Sequence, residues 1–321
     1  MLVGIACAFS GLIATATFVK RWQVKVASHW LPTPGKIVSA RVVARTVASI
    51  SNDSSTRGAS ETRNFPEIAF DYEVNGKKFH GTRYSIRENL GNFEIPETMA
   101  RYPKGANVTV FYDPKNPANA VIERTMPDGA FSFMIYLSAG LIIGTIALIL
   151  IVSDGLRALT PYLPQPQNAG AATFLTIMGL FILRMAFLQK GLADAAKSWP
   201  TVKGNIGESG IETLKIRSST SIYGPWRSVF RSRIVYSYKV AGQPYSADRV
   251  AFGAVVTSSL PSLISGRTER YPQNGRVDVY YDPANPGSAV LERRVGGLWI
   301  LWTSAALFLG AAAVLVGFIS T

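Results

Sequence analysis

The residues that most invite a chemical reading are two aspartates in matching surroundings. Asp113 stands in Tyr112-Asp113-Pro114 and Asp282 in Tyr281-Asp282-Pro283, and each triplet is followed by an Asn-Pro pair, Asn116-Pro117 and Asn285-Pro286. A repeated carboxylate is a candidate general base, but acid–base work needs a second group whose environment separates the two pKa values. Each motif offers only one carboxylate. The same residues make a natural turn, because an aspartate before proline can cap nearby backbone N–H groups while the proline fixes φ. Both motifs are therefore expected to be structural turns, with no catalytic residue, cofactor or metal among them.

The rest of the polar inventory is thin. His29 and His80 are the only histidines, and the second half of the chain places Ser198 and Ser246 at the corresponding positions. A metal or acid–base role shared by the two halves is therefore not expected. No Ser/His/Asp arrangement, phosphate-binding loop or dinucleotide fingerprint is present. The single cysteine, Cys7, excludes an intramolecular disulfide framework. Arg184, alone in an apolar run, reads either as a mark of an ion or substrate path or as a side chain long enough to snorkel to a membrane interface; the second is favoured by Lys190 close behind it.

The elements that must carry these residues are mostly apolar. Hydrophobic residues make up 48% of the chain and charged residues 17%, which is poor in charge for a soluble protein. Met1–Val19, Phe131–Val152, Ala171–Leu188 and Leu298–Ile319 are apolar runs, with Arg184 the only charge in any of them. A helix rises about 1.5 Å per residue, so roughly 20 such residues cross a hydrocarbon core of about 30 Å. Four transmembrane helices are expected. The first reads as retained rather than as a cleaved leader, because its basic residues, Lys20 and Arg21, follow the apolar run instead of preceding it. Gly140/Gly144, Ala306/Gly310 and Ala313/Gly317 have the small-residue spacing that lets helix backbones approach.

Between the apolar runs the sequence repeats. Arg101–Arg124 and Arg270–Arg293 match at 14 of 24 positions at an offset of 169. Upstream, Phe70, Tyr72, Val74 and Gly76 correspond to Tyr236, Tyr238, Val240 and Gly242, and Trp30 and Ile37 to Trp199 and Ile206. Each copy, Trp30–Arg124 and Trp199–Arg293, alternates apolar and polar residues, with hairpin turns at Asn75-Gly76 and Ala241-Gly242. Further strands are expected near Ile37–Val47, Val108–Tyr112 and Ala120–Ile122 and at their counterparts. The fold expected is a membrane protein of mixed class, with four transmembrane α-helices and two small all-β, five-stranded, barrel-like extramembrane domains. Ser153–Ala169 would connect the halves. Ser51–Arg63 and Ser218–Ser228 read as polar loop inserts, and Phe93–Ala100 and Ser259–Arg267 as sites for a short helix.

The order of a tryptophan beside the membrane, an aromatic hairpin, Tyr-Pro, and then V-x-[FY]-Y-D-P-x-N-P-x-x-A-V-[IL]-E resembles the bacterial family of domains of unknown function numbered 3592. The resemblance covers both soluble units, about 200 residues. It implies a membrane-anchored protein with a small β-fold and supplies no activity. This chain differs from single-copy members in duplicating the whole unit.

The formal net charge is +13. Lys20–Asp128 holds 16 basic and 11 acidic residues, and Lys190–Arg294 holds 15 and 8. Much of this excess lies at helix ends, where anionic lipid headgroups attract it. Arg227, Arg231 and Arg233, interleaved with Trp226 and Phe230, are the one basic-aromatic cluster. A bilayer with anionic headgroups, and a protein partner or self-association, are therefore the expected partners, and nucleic acid is not. Lys20, Arg21, Lys25, Arg124, Lys190, Lys197, Arg293 and Arg294 flank the runs on the domain side against Arg157 opposite, which places the β-domains in the cytoplasm. The leading expectation is a non-enzymatic, multi-pass scaffold or interaction protein of a bacterial inner membrane. A small transporter or channel component is the alternative, and a membrane-bound hydrolase the third.

Overall fold

The computed structural model describes residues 2–48, 56–57, 59–87, 91–92, 94–126, 130–217, 225–253 and 257–318. Parts of the two expected inserts (residues 51–55 and 58, and 218–224), position 93 of the first expected short helix and the outermost residues of the first and last apolar runs lie outside the described residues.

The duplication read from the sequence is a duplication of structure. The first copy runs α1 (Leu2–Ala27), β1 (Leu31–Ala48), β2 (Thr56–Arg57), β3 (Ser60–Val74), β4 (Lys77–Gly81), α2 (Ile95–Arg101), β5 (Asn107–Asp113), β6 (Asn116–Val121) and α3 (Ala130–Leu159). The second runs α4 (Ala169–Ala195), β7 (Thr201–Arg217), β8 (Trp226–Val240), β9 (Gln243–Ala247), β10 (Phe252–Gly253), α5 (Ser262–Arg270), β11 (Arg276–Tyr281), β12 (Ala289–Val290), β13 (Val295–Gly296) and α6 (Leu298–Leu315). Each copy forms an antiparallel sheet of five strands in the same order, β4-β3-β1-β5-β6 and β9-β8-β7-β11-β12.

Local chemistry explains the strands. The β3–β4 hairpin turns on Asn75 and Gly76 with φ of 51° and 77°, and the β8–β9 hairpin on Ala241 and Gly242 with φ of 48° and 80°. Two consecutive left-handed residues make the turn whose twist suits a two-residue hairpin. Alternation then buries Ile68, Phe70 and Tyr72 in one sheet and Ile234, Tyr236 and Tyr238 in the other. Both long first strands bulge at the same place, after Ile37 and after Ile206. There the backbone leaves its β3 or β8 partner: Ile37 bonds Ala106 and Gly105, and Ile206 bonds Gly275 and Asn274.

Two glycines are required by close approach. A Cβ on Gly35 would lie 2.5 Å from Val110 Cγ2 and 3.0 Å from the Asp71 carbonyl oxygen; one on Gly204 would lie 2.7 Å from both Val279 Cγ2 and the Ser237 carbonyl oxygen. Val110 and Val279 are fully buried, so neither can retreat. Gly35→Ala and Gly204→Ala should each destabilise the chain by about 1–3 kcal/mol, as overpacking does. Urea unfolding of the detergent-solubilised protein measures this, and an unchanged midpoint would refute it.

Two expectations about the architecture are corrected. The β-domains are open sheets, not barrels: among the described pairings, the edge strands of neither sheet bond to one another. The edge strands are short, β4 and β6 over 5 and 6 residues and β9 and β12 over 5 and 2, whereas the interior β1 and β3 extend over 18 and 15. The surplus length of β1 and β3 reaches the other copy instead. Four long helices form, but only two, Pro166–Ser198 and Leu298–Leu315, are long and apolar enough over their described residues to cross a membrane. Within α3 the described apolar stretch is Phe131–Ile146, and the described part of α1 runs into Lys20, Arg21 and Lys25.

The helices pair within each copy, α1 with α3 and α4 with α6. Ser10 and Ser138 each donate a hydroxyl to the other's carbonyl oxygen, at 2.9 and 3.1 Å, across the first pair. Ala172, Gly179, Ala186 and Ala193 are buried along α4: Ala172 packs with Ala312 of α6 and Gly179 lies against Leu309 and Ala305, whereas Ala193 packs against Phe252 and Val290. Gly140, Gly144 and Gly310 open onto space instead.

Candidate functional site

The repeated motifs converge on one construction in each copy. Asp113 Oδ1 accepts the Lys115 N–H, and Asp282 Oδ1 the Ala284 N–H, both at 2.9 Å, so each aspartate closes a tight turn on its own backbone. The next proline carbonyl is then held from the sheet: Tyr72 donates to the Pro117 carbonyl oxygen and Tyr238 to that of Pro286, both at 2.6 Å. Burial pushes both phenols upward in pKa. Tyr112 and Tyr281 lie half-buried beside the two cores. Asn116 is exposed, whereas Asn285 donates to the Asn92 carbonyl oxygen at 2.7 Å, a contact between copies.

The strongest electrostatics sit at the other end of the motif. Glu123 Oε1 accepts the Tyr102 hydroxyl at 2.8 Å and Arg101 Nη1 at 2.7 Å, and Arg87 Nη2 lies 3.4 Å from Oε2. In the second copy Glu292 Oε1 accepts Tyr271 at 2.9 Å and Arg270 at 3.3 Å, while Oε2 accepts Arg294 Nε at 2.6 Å. The tyrosine and first arginine come from equivalent positions. The second arginine does not, so the same charge balance is reached by different residues. Burial acts to raise both carboxyls, but the hydroxyl and guanidinium donors outweigh it and hold Glu123 and Glu292 below the usual carboxylate range. Burial and the neighbouring carboxylate push Tyr102 and Tyr271 up to about 12.

The next residue ties the sheet to a helix. Arg124 Nη1 donates to the carbonyl oxygens of Ser28 and Trp30, at 3.1 and 3.0 Å, just past the end of α1, and its guanidinium stacks 4.0 Å over the Phe111 ring. Arg293 donates to the Lys197 carbonyl oxygen at 2.7 Å, past α4, and stacks 4.2 Å over Tyr280. A cation suits the negative end of a helix. The Glu-Arg ending of each motif therefore locks the short helix, the last strand and the apolar helix together.

The two copies are also fused to each other. Asn64, fully buried in β3, donates Nδ2 to Asn92 Oδ1 and to the Ser246 carbonyl oxygen, and its Oδ1 accepts the Ser246 N–H, at 2.8–2.9 Å. An asparagine side chain thereby satisfies the free edge of β9. Thr62 N–H donates to Asp248 at 2.7 Å, β2 pairs with the outer end of β7, and Val42 and Ile95 join the apolar core of the second sheet.

This geometry coincides with a known family. The family model described as a domain of unknown function, DUF3592, matches residues 33–127 and 208–296. The chain belongs to the DUF3592 family. The two matched segments cover nearly all of the first sheet and most of the second, so this is a tandem DUF3592 protein. Comparison with curated proteins gives no match. The two DUF3592 histidines have unrelated partners: His29 Nδ1 lies 2.9 Å from the Lys25 carbonyl oxygen, and His80 Nδ1 2.7 Å from Asp71 Oδ1 on the exposed hairpin. Among the described residues no group of three His, Cys, Asp or Glu is placed to hold a metal. Arg184 is exposed on α4, apart from the sheets.

The glutamates, their arginines and Asn64 escaped the sequence reading. For Glu123 and Glu292 a signal existed, since Arg-Tyr and Glu-Arg are identical in both repeats and opposite in charge. For Asn64 there was none: its place in the second copy, at the hairpin offset, is held by Phe230.

Proposed function

We propose that this protein is a non-enzymatic, multi-pass scaffold of a bacterial inner membrane, whose fused β-domains face the cytoplasm and hold a protein partner. The observation that carries the reading is the use made of the repeated motif: its aspartates close turns, and its glutamates, phenols and arginines join sheet to helix. The union of the two sheets through shared buried residues adds a broad surface, the form a docking platform takes. Membrane residence is supported by the two candidate spans and by their outward apolar side chains, including Phe174, Leu180, Phe181, Trp299 and Leu307. Such contiguous apolar surface is costly in water.

Crosslinking in native membranes, followed by identification of what co-purifies with the full chain, tests the proposal. One stoichiometric partner, lost when Asn64→Ala loosens the sheets, is the expected result. Solute flux through the reconstituted protein that disappears in Arg184→Leu would replace the scaffold by a transporter.

A further inference from the structure

Where the two sheets meet the end of α4, a cavity of about 510 Å³ opens, within the roughly 300–1,000 Å³ range of small-molecule sites. Its wall holds four guanidinium groups, Arg231, Arg233, Arg249 and Arg267, against two carboxylates, Glu61 and Asp248. Arg231 and Arg233 are already engaged: Arg231 Nε donates to Glu212 at 2.6 Å and its Nη2 to the Ser60 carbonyl oxygen, while Arg233 reaches Ser60 Oγ, Thr46 and Glu208. They are side chains held in place, not loose surface charge. Arg249 and Arg267 show no side-chain hydrogen bond or ion pair among the described residues, and they supply the uncompensated charge. Burial raises the pKa of the Asp248 carboxyl, which also accepts the Thr62 N–H.

Gln189 and Leu192 of α4 close the floor, Gln189 accepting the Gly253 N–H at 3.1 Å. Both belong to the stretch 166–198 that is long enough to cross a membrane. They stand near its domain-side end, the level of lipid headgroups. A planar fork of guanidinium donors recognises a phosphate group bidentately, and a preformed pair of them outcompetes water for it.

We propose that this cavity binds a phosphate-bearing anion, gripped by Arg249 and Arg267 and oriented by Arg231. The inference needs no protein partner, so it stands or falls apart from the scaffold reading. The anion can arrive as the headgroup of a lipid or free in solution. The full chain in detergent is titrated with inorganic phosphate by calorimetry. In parallel, the full chain in nanodiscs of phosphatidylglycerol or of phosphatidylcholine is analysed for lipid retained on extraction.

Binding of either probe by the wild type, weakened about tenfold or more in Arg249→Gln/Arg267→Gln and largely restored in Arg249→Lys/Arg267→Lys, supports the site. Retention of phosphatidylglycerol alone makes the source a lipid, and binding of phosphate alone makes it a soluble ligand. Absence of binding to both probes overturns the proposal, as does equal binding by wild type and glutamine variant. Should the double variant unfold, Arg249→Gln alone, at an exposed position, gives the same decision.

Discussion

Asn64→Ala is expected to destabilise the protein by about 3 kcal/mol and to free the second sheet's edge strand from the first sheet. The side chain is fully buried and makes three hydrogen bonds, two of them to the backbone of Ser246. A hydrogen bond contributes about 1 kcal/mol net, but a buried group stranded by the loss of its partner costs about 1–3 kcal/mol. Alanine strands both the Ser246 N–H and its carbonyl, and it leaves Asn92 Oδ1 only the Asn64 N–H. Asn64→Asp should be no better, since it keeps the acceptor, loses the donor and buries a charge. Urea unfolding reads the loss of stability, and hydrogen exchange at the Ser246 amide reads the freed edge. Protection at that amide equal to wild type would show that the sheets are joined by their shared apolar residues alone.

What the sequence made legible follows the range of the forces involved. Asn75-Gly76 sets its hairpin within two residues, and the alternation of Ile68, Phe70 and Tyr72 sets which face is buried, so the strands could be placed from local pattern. The repeat added the second copy without further argument. The open form of the sheets could not be read this way, because a strand count does not say whether edges meet. That depends on β1 and β3 continuing past the sheet into the other copy. The docking of the copies is equally hidden, for Asn64 and Ser246 lie 182 positions apart. Glu123 illustrates a third case. Its partners Arg101 and Tyr102 sit inside the same repeated block, yet a reading that searched for catalytic carboxylates settled on Asp113, which closes a turn, and passed over the glutamate that bonds three side chains.

Glu123→Ala and Glu292→Ala should each cost about 1–3 kcal/mol, the scale of removing the acceptor from a partly buried hydrogen-bonded group. Their side chains are only 15% and 16% exposed, but Arg101, Arg270 and Arg294 are more than half exposed. Solvent therefore screens the ion pairs, and the tyrosine hydroxyl carries most of the loss. Each replacement leaves a tyrosine hydroxyl and two guanidiniums without their acceptor, whereas Tyr102→Phe, which removes one hydroxyl, should cost about 1 kcal/mol. The acid limb carries the sign. A carboxyl whose folded pKa lies below its unfolded value of about 4.3 adds stability that is complete above that pH and disappears as pH falls through the folded value. Wild-type stability should therefore fall steeply below about pH 4, and Glu123→Gln/Glu292→Gln should flatten that fall. The alkaline limb runs the other way. Tyr102 and Tyr271, raised to about 12 in the fold, add stability that is whole below the ordinary phenol pKa of about 10 and is lost as pH rises towards 12. Ultraviolet titration of tyrosinate should then show these phenols ionising at lower pH in the glutamine variants. An unmoved titration would mean that burial alone sets their pKa and that the glutamates are not what holds the short helices to the sheets.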